Sequence, residues 1–263
     1  MSFEDKFNVF IPELTETLSI PNSPDWSVKG FIDYYQNIYS ISTDTKVVSK
    51  IIELMIFPKF LEFASRNGYT LRLSPHQNYY PDITFIDGEG KKYAVDLKST
   101  YRVSPTNVNG MTLGAFTGYF RNRTSSKNVL FPYGDYEKHY VFGIIYSRAD
   151  IKEDETKAYT LENFTTIPSV VREFDFFIQE KWKIAIDRPG SGNTKNIGSE
   201  SDIQRLKAGD GLFAREFSEE GKSVFDSYWI NYQTKDMAKV DGRDKSSYNN
   251  LATYREWVES IRL

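Results

Sequence analysis

The chain has 263 residues, 40% hydrophobic and 26% charged, with a formal net charge of −3 from 33 basic and 36 acidic residues. These values are those of an ordinary globular protein large enough for a sizeable core, and they exclude disordered and fibrous classes. Cysteine is absent and only His76 and His139 are present, which excludes disulfides, thiolate nucleophiles, cysteine-bound zinc and, in practice, a serine–histidine–acid triad.

Hydrolytic chemistry in this chain must therefore draw on carboxylates and lysine, with a hard metal ion as an optional partner. No apolar run approaches the ~18 residues that would cross a bilayer. The start "MSFEDKFNVF" lacks the basic end and apolar stretch of a signal peptide, so a non-exported, cytoplasmic protein is expected. The small net charge decides little about nucleic acid, because a cleft can be locally basic in an acidic protein. Aromatic residues, at 16%, are unusually frequent.

In chain order, the first forty residues read as irregular, with Pro12, Pro21 and Pro24 breaking them into short pieces. A helix is expected from Thr43 or Asp44 as N-cap to Gly68, bent or divided at Pro58. Lys46, Ser49 and Glu53 share its polar face by their three- and four-residue spacing. Short β-like runs follow: "YTLRL" from Tyr69, "DITFI" from Asp82 and "KKYAVDLKS" from Lys91. The last two are joined by "DGEG", a hairpin signal. "HYVFGIIYS" from His139 reads as a buried strand, with His139 as a hydrogen-bonded core residue and His76 as a loop residue. "FDFFIQ" and "WKIAID" look like a second hairpin pair leading into "RPGSGNTKNIGS". After Ser199 the pattern is helical, clearest in "SVFDSYWINYQ" and "LATYREWVESI". The expected class is α/β or α+β, a central mixed sheet flanked by helices.

The chemistry concentrates in the hairpin. Alternation along "YAVDLKS" puts Asp96 and Lys98 on one face. Pairing Ile86 with Lys91, or slipping by one, sets Asp82 opposite Val95 or Asp96, so either register brings two carboxylates near one another. Adjacent carboxylates repel unless a cation shares them, and Mg²⁺ takes oxygen ligands of this type. A neighbouring lysine can position water and stabilise charge developing on phosphorus. The bland alternative for a D-x-K triplet is the solvated side of a half-buried strand, and for Glu53 a solvated helix face. "GSGNTKN" from Gly190 lacks the ending of a P-loop. Its glycines permit close backbone approach to a ligand, and Asn193 and Asn196 carry amides suited to base edges; the alternative is a surface loop. Gln77 and Asn78 lie just before Asp82 and bring further amides.

Taken in order, "SxDTKVxSxIxEL", "QNxYPD", "DLKSTY", "TLGxxTxxxRN" and "GSGNTKNIGS" resemble the EcoRV family of type II restriction endonucleases, within the PD-(D/E)xK nuclease superfamily, from about Thr43 to Trp257. The resemblance implies one restriction-endonuclease domain over 1–263. Residues 1–42 would be an N-terminal extension serving dimerisation, 43–187 the catalytic core, and 188–263 the recognition loop and C-terminal helices. It implies Asp82 and Asp96 as Mg²⁺ ligands, with the Leu97 carbonyl as a further one, Lys98 as catalytic lysine and Glu53 as an accessory carboxylate. Gly190, Ser191, Gly192, Asn193, Thr194, Lys195 and Asn196 inherit major-groove reading, and Gln77 and Asn78 the minor-groove loop. Lys46, Ser99, Thr100, Thr112, Lys127 and Arg243 become phosphate or coupling contacts. The implied activity is a homodimer cutting both strands of palindromic double-stranded DNA at GATATC with blunt ends, beside a cognate methyltransferase that protects host DNA. Lys195, Gly118 and Ser99 depart from the family pattern, where threonine, serine and threonine stand. A repair or junction-resolving nuclease of the superfamily would not need "GSGNTKN" as a sequence reader. A non-cleaving DNA-binding relative would show a broken Asp82, Asp96 or Lys98, and all three are intact.

Overall fold

The computed structural model describes residues 1–150, 156–190 and 195–262. The chain divides into two compact units: Met1–Leu71, Ser99–Asn109 and Phe142–Ile178 form the first, and Arg72–Lys98, Gly110–Val141 and Gln179–Leu263 the second.

The chain opens on helix α1 (Phe3–Leu18), not on the irregular segment that its prolines suggest. Phe3, Phe7, Phe10, Leu14 and Leu18 recur at three- and four-residue intervals and are all buried, while Pro12 faces solvent inside the helix. Ser2 and Asp5 form a reciprocal capping box at its start. The apolar stripe outweighs one missing amide donor. Strands β1 (Gly30–Ile32) and β2 (Ile38–Ser40) pair antiparallel. Only glycine fits at position 30, since a Cβ there would lie 2.4 Å from the Tyr39 carbonyl oxygen.

Helix α2 (Thr45–Asn67) is capped by Asp44, which accepts from the Lys46 and Val47 amides, and stops at the left-handed Gly68. Pro58 sits inside α2 without dividing it. Buried Phe60 and Phe63 pack with Phe7 at ring separations of 5.5 and 4.7 Å, and Phe60 meets Phe142 at 5.4 Å. Here the high aromatic content becomes core.

The strands continue as β3 (Thr70–Leu73), β4 (Ile83–Ile86), β5 (Lys92–Tyr101), β6 (Thr112–Ala115), β7 (Tyr136–Arg148), β8 (Ala158–Tyr159), β9 (Val171–Glu180), β10 (Ala185–Pro189) and β11 (Asn196–Ser199). A central five-stranded sheet has the order β3-β4-β5-β7-β9, and two small sheets have the orders β1-β2-β8 and β10-β11-β6. The expected pairing of "FDFFIQ" with "WKIAID" is not made. β9 ends in a 3₁₀ turn at Lys181–Lys183, and β10 pairs antiparallel with β11 instead. That turn redirects the chain before a hairpin could close. Helices α3 (Ile203–Ala208), α4 (Leu212–Phe217), α5 (Gly221–Asn231), α6 (Lys235–Val240) and α7 (Leu251–Arg262) complete a mixed α+β fold, with the central sheet flanked in the chain by helices. Tyr228 and Trp229 of α5 are fully buried among Phe116, Phe213 and Tyr248. Among the described residues no helix is long and apolar enough to cross a membrane.

Candidate active site

Antiparallel pairing of β4 with β5 runs Ile83↔Val95, Thr84↔Ala94, Phe85↔Tyr93 and Ile86↔Lys92. This is the slipped alternative of the two registers, and continued by one residue it sets Asp82 opposite Asp96. Asp82 is held in place by the Leu97 amide, which donates to its Oδ2 at 2.7 Å. The Lys98 Nζ lies 2.6 Å from Asp96 Oδ2 and donates to the Leu97 carbonyl at 3.2 Å. Asp96 is only 6% exposed, so the polar side of this strand is not a solvated surface. Two carboxyls, one ammonium and one main-chain carbonyl meet in one place.

The electrostatics follow from burial. Asp82 is pushed up to about 7, first by burial and then by the charge of Asp96, against the opposing Lys98 ammonium and Leu97 amide. For Asp96 burial works the same way, but the ammonium groups of Lys98 and Lys181, with hydrogen bonds from Lys98 and Asp82, hold its carboxyl below the usual range. One proton is thus retained by the pair near neutrality. That is the state expected of two carboxyls buried side by side, where burial and mutual repulsion both favour one shared proton.

The trio lines a cleft of about 660 Å³. Gln77, Asn78, Lys127 and Asn196 line the same cleft, so four residues expected to touch DNA meet the three expected to cut it. Asn196 begins β11 and Thr112 begins β6, and those strands pair with Gly198 opposite Thr112. Gly190 abuts this pairing, since a Cβ there would lie 2.9 Å from Thr112 Cγ2. Lys195 is exposed, and its carbonyl accepts from the Phe116 amide. Gly190, Lys195, Thr112 and Arg243 do not line the cleft. Arg243 bonds instead to Ser247 Oγ at 2.8 Å, to Gln233 and to Asp241. Ser191, Gly192, Asn193 and Thr194 lie outside the described residues.

Four further residues belong to the first unit. Glu53 pairs with Lys50 at 2.9 Å on α2, and Lys46 is exposed in its first turn. The Ser99 hydroxyl lies 2.5 Å from that of Ser49, and buried Thr100 donates to the Asn109 carbonyl at 2.5 Å.

Sequence reasoning missed what lies behind the carboxylates. Lys181, 1% exposed, puts its Nζ over the rings of Tyr80 at 4.3 Å and Tyr133 at 5.5 Å. Tyr119 stacks on both rings, and Tyr133 stacks on His139 at 3.7 Å. His139 Nδ1 hydrogen-bonds the Tyr80 hydroxyl at 2.8 Å, and burial keeps its imidazole neutral. Tyr80 adjoins the "YPD" motif and carries a faint sequence signal; "EKWK" gives none for Lys181.

The chain matches the restriction endonuclease EcoRV family over residues 22–259. It is 34% identical to the type II restriction enzyme EcoRV of Escherichia coli over 236 residues, covering 89% of this chain and 91% of that enzyme. Among solved structures, the NlaIV restriction endonuclease aligns over 98% of this chain and 96% of its own, with 12% identity and a TM-score of 0.43. Restriction endonucleases act on double-stranded DNA, and the family generally needs a divalent metal ion. On this evidence the chain belongs to the EcoRV family of restriction endonucleases and is a type II site-specific deoxyribonuclease.

Proposed function

We propose that the enzyme hydrolyses both strands of a short palindromic DNA site, GATATC, giving blunt ends with 5′-phosphates, and that Mg²⁺ is its cofactor. The observation that carries this reading is the convergence of Asp82, Asp96 and Lys98 in one cleft with Gln77, Asn78, Lys127 and Asn196. The donor set fits a small hard ion. Among the described residues no group of three or more acidic, His or Cys side chains could hold a metal, and Mg²⁺ suits such a sparse set because it keeps waters and takes substrate phosphate oxygens. When bound, the ion supplies charge neutralisation and an acidified water.

Asp82, Asp96 and the Leu97 carbonyl would hold that ion, with Glu53 as an accessory carboxylate. Lys98 would orient the attacking water and stabilise negative charge building on phosphorus. Gly190, Ser191, Gly192, Asn193, Thr194, Lys195 and Asn196 would read bases in the major groove, and Gln77 and Asn78 would enter the minor groove. Lys46, Ser99, Thr100, Thr112, Lys127 and Arg243 would contact or sense the DNA backbone.

A homodimer would set one identical site against each strand of the palindrome. The β1–β2 hairpin supports this, because Phe31, Ile32, Tyr34 and Tyr35 stand 51%, 58%, 93% and 80% exposed, an apolar patch that a second copy would cover. In the cytoplasm a methyltransferase of matching specificity would protect host DNA.

Digesting plasmid DNA of known sequence with Mg²⁺ or with chelator, mapping the ends, and repeating with Asp96→Ala tests the proposal. Cuts confined to GATATC, dependent on metal and on Asp96, are expected. Metal-independent cutting, or cuts sharing no palindrome, would overturn it.

A further inference from the structure

Of the buried charges that the proposed chemistry leaves unused, Glu180 pairs with Lys138 at 2.7 Å, whereas Lys181 stands differently. Lys181 Nζ makes no hydrogen bond to any of the described residues, although it is fully enclosed. An ammonium stripped of water costs several kcal/mol unless something answers its charge. The faces of Tyr80 and Tyr133 answer it here, together with the negative charge of Asp96 and, less strongly, that of Asp226. The main chain makes room for it at Gly114, where a Cβ would lie 3.6 Å from Nζ and 3.2 Å from the Tyr119 hydroxyl. Gly114 lines the same cleft as Asp82 and Asp96, so the ammonium sits just behind the cleft wall. With one proton retained by the carboxylate pair, one negative charge faces the two ammonium groups of Lys98 and Lys181, and the metal-free cluster is net positive. Packing alone would be served better by a methionine of similar length.

We infer that Lys181 is a positioning residue: its fixed positive charge holds the metal-free carboxylate pair together and competes electrostatically with the divalent ion, so that it sets metal affinity without touching the ion. This rests on the reading that Asp82 and Asp96 hold the ion. The competition has a definite sign. A divalent ion feels the neighbouring charge twice as strongly as a proton does, so removing that charge strengthens metal binding even when the ion must displace one proton from the pair. Loss of packing would weaken binding instead.

The test is calorimetric titration of the DNA-free enzyme with Mg²⁺ at pH 7, below the value of about 8 to which burial lowers the Lys181 ammonium. Lys181→Met should bind Mg²⁺ more tightly, by roughly tenfold. Lys181→Arg, which keeps the charge, should match the parent. Unchanged or weaker binding in a Lys181→Met protein with a native circular dichroism spectrum overturns the inference. Should Lys181→Met not fold, the Lys181 resonance of [¹³Cε]lysine-labelled parent protein, assigned through Lys181→Arg, decides. A shift on adding Mg²⁺ that is lost in Asp96→Asn supports the inference, and no shift overturns it. Asp96→Asn also separates the two readings. If it leaves Mg²⁺ binding intact, the metal reading fails; if it abolishes binding while Lys181→Met changes nothing, only the role of Lys181 fails.

Discussion

Replacing Asp82 by asparagine should stabilise the metal-free enzyme while destroying its activity. In the folded protein the Asp82 carboxyl keeps its proton up to about 7, because it is buried and faces Asp96, whereas the unfolded chain releases that proton near 3.8. The native state therefore binds more protons than the unfolded state between these values, and stability falls as pH rises from about 4 through 7. The full difference is an upper bound of roughly 4 kcal/mol at pH 8. Asp96 shares the repulsion and the site relaxes, so about 2 kcal/mol is the expected gain from the neutral isostere. Asparagine can still accept from the Leu97 amide, which preserves the hairpin contact. For a chain of this size the gain corresponds to about 5 °C in Tm. Thermal unfolding followed by circular dichroism in chelator, at pH 5 and pH 8, provides the measurement. The variant should melt higher than the parent at pH 8 and by less than half that margin at pH 5; the gap closes only below about pH 4, where the unfolded chain also keeps the proton. Equal differences at the two pH values, or none at pH 8, would refute the argument that like charge and burial dominate the site.

Lys98→Gln should lower single-turnover cleavage by at least about 10²-fold while leaving DNA affinity in a gel-shift assay within a few-fold of the parent. Lys127→Ala should weaken binding to specific and unrelated duplexes alike and reduce the slope of log affinity against log salt by about 1, as for loss of one phosphate contact. Gly143→Ala would drive a Cβ to within 2.0 Å of two Phe177 ring atoms, so urea denaturation should report a loss of about 1–3 kcal/mol. Asp44→Ala removes the oxygen that accepts from the Lys46 and Val47 amides and should cost about 1 kcal/mol, most of it restored by Asp44→Asn.

Local signals determined much of this protein by sequence alone. Asp44 and Gly68 bound α2 because capping chemistry acts over one turn, and "DGEG" closes a hairpin because it joins two alternating segments. Strand alternation alone puts Asp96 and Lys98 on one face. The same local reasoning failed where a local cue met a longer-range one. Pro12 is a helix breaker in isolation, yet the apolar stripe from Phe3 to Leu18 keeps α1 whole, and the strand after Lys181 leaves β9 for β11. Only tertiary structure chose between the two hairpin registers, since a slip of one residue leaves local propensity unchanged but moves Asp82 from Val95 to Asp96. Only tertiary structure gave Lys181 its place: ninety-nine residues separate it from Asp82, and a buried charge beside a carboxylate pair is a property of packing, with no periodicity to announce it.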